Sequence, residues 1–271
     1  MTKPALAHEH PLAIAHRGTR HFHPENTMPA FQAAVDLGFC YLETDLHVTA
    51  DGVVVCFHDD TVVRTTNGRG RVAAMTFEQL RVLDAGHRFG ARRGFPARGK
   101  GIVVPSLEDL ATTFPDAVLI LDLKQDAIER SVADLIERLG MWERVIVGSF
   151  SDKRLQAFRA LARGRAATST GSGETYRIWR AARKGLAVDT PADALQVPIT
   201  YRGIRVVDRK TIDAAHASGL QVHVWTVNRP DQMNRLLDLG VDGIISDRID
   251  LLKQVYLARG KGGPWNPAPI P

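Results

Sequence analysis

Along the chain, short apolar runs alternate with longer segments in which apolar residues recur every three or four positions. The first pattern fits buried strands and the second fits amphipathic helices. Eight runs predict strands: 12–16, 40–46, 117–123, 144–149, 165–169, 193–198, 220–226 and 241–246. Helical spacing over 127–139, 151–163, 174–184, 208–217, 230–238 and 248–258 predicts the helices between them. An earlier helix starts near Asn26 or Thr27, whose side chains suit a cap, and tolerates Pro29 in its first turn. It carries Met28, Phe31, Ala34 and Val35 on one face and stops at Gly38.

Alternation of this kind predicts βα units on a parallel sheet, and eight of them predict an α/β fold of the (β/α)8 barrel type. A doubly wound open sheet is the alternative, but no G-x-G-x-x-G follows the first strand. Residues 53–105 break the rhythm with a hairpin-like start, one short helix at "TFEQLRVL" and a Gly/Arg-rich loop. They read as an insertion between the second strand and its helix, with 59–105 as an inserted subdomain of a single barrel spanning 1–271. This segment is expected to lack a sizeable apolar set of its own. The closing "GKGGPWNPAPIP" reads as a tail.

Composition narrows the function. The chain has 271 residues, 44% hydrophobic and 24% charged, with a net charge of +5. Its Lys and Arg residues are spread without the dense basic blocks of a nucleic-acid binder, so no nucleic-acid partner is expected, while an anionic small molecule fits. Only two cysteines occur, Cys40 and Cys56, both in apolar stretches, and they read as reduced core thiols. No apolar leader or membrane-length span is visible, which makes a cytoplasmic protein the expectation.

In a barrel, chemistry sits at the C-terminal ends of the strands and packing fills their interiors. Those ends are where polar residues collect here. Strand one ends in His16-Arg17; strand two carries Glu43 and Asp45, two apart and so on one face; strand three ends Asp122-Leu123-Lys124. "VVVCFHDD" ends in His58, and strand seven brings Trp225 and Asn228 to the same rim. Taken singly, each residue has a structural reading: a bonded histidine, a solvated acidic edge, a local Asp122–Lys124 ion pair. Structural readings do not predict that all should gather at strand ends. Carboxylates on one face repel unless a cation neutralises them, and three from two strands make a hard oxygen site suited to Mg²⁺ or Ca²⁺. Two histidines supply acid and base near neutral pH, and Arg17 and Lys124 supply charge for an anion. Together they ask for a phosphate ester. His8, His10, His21 and His23 read as solvated loop histidines, and His47 receives no role.

The segments "AHRG" (15–18), "PENT" (24–27), "LETDLHVTADGVVVCFHD" (42–59), "RTTNGRG" (64–70), "VPSLEDL" (104–110), "HVWTVN" (223–228) and "VDGIISDRIDLL" (241–252) resemble the glycerophosphodiester phosphodiesterases, in order over nearly the whole chain. The resemblance implies a TIM barrel with a small insertion after the second strand, and metal-dependent hydrolysis of a glycerophosphodiester to glycerol 3-phosphate and an alcohol. It makes His16 and His58 the acid/base pair, Arg17 a phosphate ligand, and Glu43 and Asp45 metal ligands. The family's third ligand is usually a Glu in a Glu-x-Lys pattern; here "LDLK" puts Asp122 in that place, with Lys124 matching the Lys. Trp225 packs against the glycerol or the leaving group, or is a structural rim aromatic. Which histidine is acid, and whether water or a substrate hydroxyl attacks, stay open. A lysophospholipase-D-like activity is the alternative, distinguished by an apolar lip around the site. The few large apolar residues of the inserted segment favour water-soluble diesters, although "ARRGFPARGKG" allows peripheral contact with an anionic lipid surface.

Overall fold

The computed structural model describes residues 3–7 and 11–260. His8, His10 and the tail beyond Gly260 lie outside the described residues.

The barrel strands are β1 (Leu12–Ala15), β2 (Tyr41–Val48), β3 (Val118–Leu123), β4 (Val145–Gly148), β5 (Ala167–Thr168), β6 (Ala194–Pro198), β7 (Gln221–Trp225) and β8 (Gly243–Ser246). Each pairs in parallel with the next from β1 to β5, and β8 pairs with β1 and β7, and β7 with β6. A single bridge from Ser169 to Ala194 joins the β5 side to β6 and closes the ring. Every predicted strand is present. The helices that follow them are α1 (Met28–Asp36), α2 (Leu107–Thr113), α3 (Glu129–Arg138), α4 (Asp152–Ala162), α5 (Ser172–Ala182), α6 (Arg209–Ala217), α7 (Pro230–Leu239) and α8 (Ile249–Ala258).

Period-two alternation splits each strand between two cores. Leu12, Ile14, Tyr41, Val118, Ile120, Ile146 and Ile245 pack with one another inside the ring, over a floor made by Ala5 and Leu6. Ala13, Ala15, Leu42, Leu119, Leu121, Val147 and Ile244 point outward onto Phe31, Leu110, Ile136, Phe158 and Leu252 of the helices. The interior parity matters for function, because His16, Glu43, Asp45, Asp122, Trp225 and Asp247 continue it at the C-terminal rim.

Two expectations are corrected, and one element is new. Neither Asn26 nor Thr27 caps α1 through its side chain: the Thr27 hydroxyl donates to the Pro24 carbonyl at 2.6 Å, and the Asn26 amide donates to Asp45 at 2.9 Å. The segment after β2 does carry an apolar set, with Val55, Phe57, Val62, Val72, Leu80, Ala85 and Val104 buried together. It opens with a strand, Val54–Cys56, antiparallel to the end of β2. An unpredicted hairpin, Thr200–Tyr201 with Ile204–Arg205, follows β6. Its turn residues Arg202 and Gly203 have φ of 48° and 80°, the double left-handed conformation that a two-residue hairpin loop favours. Cys40 and Cys56 are both buried in the core, as expected.

Candidate active site

The loop after β1 makes a tight turn. Arg17 adopts φ 53° and Gly18 φ 76°, and a Cβ on Gly18 would lie 2.6 Å from the backbone of Ala30. Only glycine lets the loop rest on the start of α1. A non-glycine residue held at positive φ costs of order 1–3 kcal/mol and marks a place where geometry is imposed. What is imposed is the position of Arg17. Its backbone N–H donates to Glu43 at 2.9 Å, its Nη1 donates to Glu25 at 2.7 Å, and its Nε lies 2.9 Å from Asp45 without hydrogen-bond alignment.

His16 points inward. Its Nδ1 lies 2.7 Å from Asp247 Oδ1, and its Nε2 lies 3.9 Å from Glu43. Asp247 was not foreseen. It sits one residue past β8 in a stretch that looks like a helix start, yet it shares the inward parity of Gly243 and Ile245, and that was the readable signal. Asn228, in the loop just past β7, donates to the other Asp247 oxygen at 2.9 Å. Burial would raise the Asp247 carboxyl, but the bonds from His16 and Asn228 and the charge of His16 hold it below its ordinary value.

His58 reaches the rim from the hairpin-like start of the insertion, as the sequence reading has it. Its strand is not a barrel strand but the one that folds back antiparallel on β2, so that the Phe57 N–H bonds to the Asp45 carbonyl at 2.8 Å. The imidazole Nδ1 lies 2.5 Å from Asp59, which also takes the Nε of Arg64 at 2.5 Å. Arg64 in turn binds both oxygens of Glu25. Against the effect of burial, the Arg64 and Arg17 guanidiniums bring the Glu25 carboxyl down to about 2. Burial lowers His58 from its ordinary value, opposed by the Asp45 charge. Both candidate histidines therefore have a carboxylate at Nδ1, the arrangement that fixes a tautomer and turns the other nitrogen to the reaction.

Glu43 and Asp45 are buried side by side and behave differently. Burial, then the Asp45 charge, pushes the Glu43 carboxyl up to about 7. Asp45 is also pushed up by burial, but Lys124 and Arg17 hold it well below the usual carboxylate range. In the strand register Asp45 stands opposite Asp122, and Lys124 Nζ bridges the two at 3.0 and 2.6 Å. Asp122 Oδ1 is buried with no hydrogen-bond partner. Among the described residues no group of three His, Cys, Asp or Glu side chains forms a ready-made metal cluster. The donor chemistry is nonetheless that of a hard cation: crowded carboxylates, one pushed toward neutrality and one with an unpartnered buried oxygen.

These groups line a cavity of about 380 Å³. His16, Arg17, Glu43, Asp45, His58, Asp122 and Lys124 form one side; Arg20, not foreseen, joins them. Trp225 lines the opposite side, edge-on to Phe150 with centroids 5.6 Å apart. With it come Tyr176 and Trp179 of α5 and Tyr201, Ile204 and Val206 around the hairpin. A substantial apolar lip is therefore present, contributed by α5 and the hairpin rather than by the insertion. His47, buried, faces Gln125 and the His58 carbonyl instead of the cavity.

An α/β barrel with two carboxylate-held histidines, a buried guanidinium and paired acids at its C-terminal rim defines a class of enzyme acting on an anionic ester. Residues 16–251 match the Glycerophosphoryl diester phosphodiesterase family, and the chain belongs to that family. It is 37% identical over 263 residues to "Probable glycerophosphodiester phosphodiesterase 2" of Mycobacterium tuberculosis, covering 94% of each protein. It is 32% identical to a glycerophosphodiester phosphodiesterase of Caldanaerobacter subterraneus subsp. tengcongensis, over 93% of this chain and 99% of that one. The crystal structure of a glycerophosphodiester phosphodiesterase from Agrobacterium tumefaciens has a TM-score of 0.72 and 28% identity, covering 90% of this chain and 99% of that chain. Among the described residues no helix is long and apolar enough to cross a membrane.

Proposed function

We propose that this chain hydrolyses glycerophosphodiesters to glycerol 3-phosphate and an alcohol, with His16 and His58 exchanging protons and Arg17 binding the phosphoryl group. The observation that carries the mechanism is the pairing of each imidazole with a carboxylate at Nδ1 on the charged side of one cavity, 2.7 Å for His16 and 2.5 Å for His58. One imidazole takes the proton of the attacking oxygen while the other gives one to the departing alkoxide. Arg17, held on its other edge by Glu25 and Asp45, offers fixed positive charge to oxygens that gain negative charge in the transition state. Lys124 adds a second cation on the same side of the cavity.

Glu43 and Asp45, with the unpartnered oxygen of Asp122 as third donor, would hold one divalent ion, Mg²⁺ or Ca²⁺. When bound, the ion supplies Lewis-acid charge to a phosphoryl oxygen. In this reading the whole chain is one barrel unit carrying residues 59–105 as an insertion, and that insertion brings Arg64 to brace His58 through Asp59. Two cysteines only, both buried, are in keeping with a reducing cytoplasm.

The test is release of glycerol 3-phosphate from glycerophosphocholine and glycerophosphoethanolamine with Mg²⁺, Ca²⁺ or Mn²⁺, and again with EDTA. Turnover that survives EDTA removes the metal, and absence of turnover with every ion removes the reaction.

A further inference from the structure

Charge is unevenly spread over the molecule. Residues 176–210, which run through α5, β6 and the hairpin, hold eight Lys and Arg against three Asp, a surplus equal to the +5 of the whole chain. On the charged side of the cavity the guanidiniums are spoken for: Arg17 by Glu25 and Asp45, Arg64 by Glu25 and Asp59. Around α5 and the hairpin they are not. Among the described residues Arg180, Arg202 and Arg205 make no ion pair, and all three are exposed. Of the acids in that segment, Asp208 is bound by Arg183 at 2.7 Å, and Asp193 turns to the Thr168 N–H at 2.8 Å.

These uncommitted guanidiniums stand at the apolar wall of the cavity. Arg180 lies over the Tyr176 ring at 5.8 Å and Arg202 over the Tyr201 ring at 5.4 Å, and both rings line the cavity. The Trp179 indole donates to the Arg205 carbonyl at 3.1 Å and stacks on Tyr176 at 6.2 Å, so α5 and the hairpin share one frame. Arg183 covers Trp179 at 4.7 Å. Aromatic faces beside a phosphodiester site could otherwise serve a quaternary ammonium. With three of them already holding a guanidinium, a further cation is repelled and an anion attracted.

We propose that Arg180, Arg202 and Arg205 form a subsite for a negative charge on the alcohol half of the diester, a phosphate or carboxylate separate from the scissile group. The proposal rests on the phosphodiesterase reading and names the class of diester. Arg17 and Lys124 take the scissile phosphoryl group, and the rings of the wall carry the carbon skeleton of the alcohol. Two cationic poles with apolar surface beside one of them suit a ligand charged at both ends. A planar guanidinium meets either oxyanion with two parallel N–H donors.

The test compares diesters that differ by one anionic group. Glycerophosphoinositol 4-phosphate is set against glycerophosphoinositol, and glycerophosphoserine against glycerophosphoethanolamine, using the full chain and Arg202→Gln/Arg205→Gln. The first pair answers to a phosphate and the second to a carboxylate. Within at least one pair kcat/KM should favour the more negative diester about tenfold at low ionic strength, an exposed ion pair being worth up to about fivefold. The double variant should bring that ratio within about twofold of unity, and Arg180→Gln alone should lower it about threefold. Added salt should shrink it in the unaltered protein. Arg163→Gln/Arg235→Gln, which removes two exposed charges outside the cavity lining, should leave it in place. No preference in either pair overturns the proposal. So does a preference that the wall variants keep, or one that Arg163→Gln/Arg235→Gln abolishes equally. Binding of the same diesters is followed by calorimetry in EDTA. Selective, arginine-dependent binding with no diester hydrolysed under any condition leaves the subsite standing and removes the phosphodiesterase reading.

Discussion

The two sides of the cavity are built by opposite means. Over β1–β3 and β8 nearly every polar group is committed to another: Arg17 to Glu25 and Asp45, His16 to Asp247, Lys124 to Asp45 and Asp122. Over β4–β7 the wall is apolar, and several of its side chains are half open to solvent. A charged group taken from water is costly unless it is paired and bonded, so the first side must be a closed network in which each member fixes its neighbours. The apolar side obeys no such constraint and is free to vary in shape. On the proposed reading, reaction chemistry falls to one side and choice of ligand to the other.

The sharpest way to break this division is to remove a histidine. His16→Ala and His58→Ala should each lower kcat about a hundredfold or more in a folded protein, the usual contribution of a positioned acid or base. A near-normal rate in either variant would remove that histidine from the chemistry. Next in size is Arg17→Lys. Charge is kept, but an ammonium cannot span Glu25, Asp45 and a phosphoryl oxygen as a planar fork does, and kcat/KM should fall about tenfold or more. A change within twofold would make Arg17 a structural brace.

Asp122 tests the network at its margin. Asp122→Asn should raise the Mg²⁺ concentration for half activity severalfold, about three to ten, with the melting temperature kept. Asp122→Glu should stay active, with a changed preference between Mg²⁺ and Ca²⁺, because the larger ion accepts looser geometry. Superimposable metal titrations in all three proteins would leave Asp122 as no more than the partner of Lys124.

The smallest effect falls beneath the apolar wall. His223, inside the ring on β7, is bonded to Gln196 and Gln221, and burial lowers it from 6.5 to about 4. Below pH 6.5 the unfolded chain takes up a proton that the folded chain refuses. Its contribution is therefore complete above that pH and is lost as pH falls toward 4. From pH 7.5 to 6 the loss should be about 1 kcal/mol, read from denaturant midpoints, and His223→Gln should flatten that dependence.

Legibility in the sequence followed the same division. Strand order was readable because each barrel strand carries its own apolar run. The strand-end residues were readable because charge inside such a run has no structural use. Asp247 escaped because it stands one residue beyond β8 beside Arg248 and Asp250, which look like the first turn of a helix. The insertion's apolar cluster escaped because Val62, Val72, Leu80, Ala85 and Val104 are spaced without period and meet only through turns. The apolar wall was least legible of all. Phe150, Tyr176, Trp179, Tyr201 and Ile204 come from three segments, and no local pattern relates them. The insertion, which carries His58, adds little to the apolar lip, which stands over β4–β7 instead.

The ring itself is not uniform in strength. β5 is only two residues long, and its side meets β6 through one bridge, Ser169 to Ala194, with the Thr168 N–H bonded beside it to the Asp193 carboxylate. Parted at that seam, the barrel would unroll into a ribbon running β5-β4-β3-β2-β1-β8-β7-β6, with the strands that carry His16, Glu43, Asp45 and Asp122 in its interior and the ligand wall divided between its two free edges. Thermal breathing should therefore widen the mouth at the apolar wall and spare the rim of β1–β3.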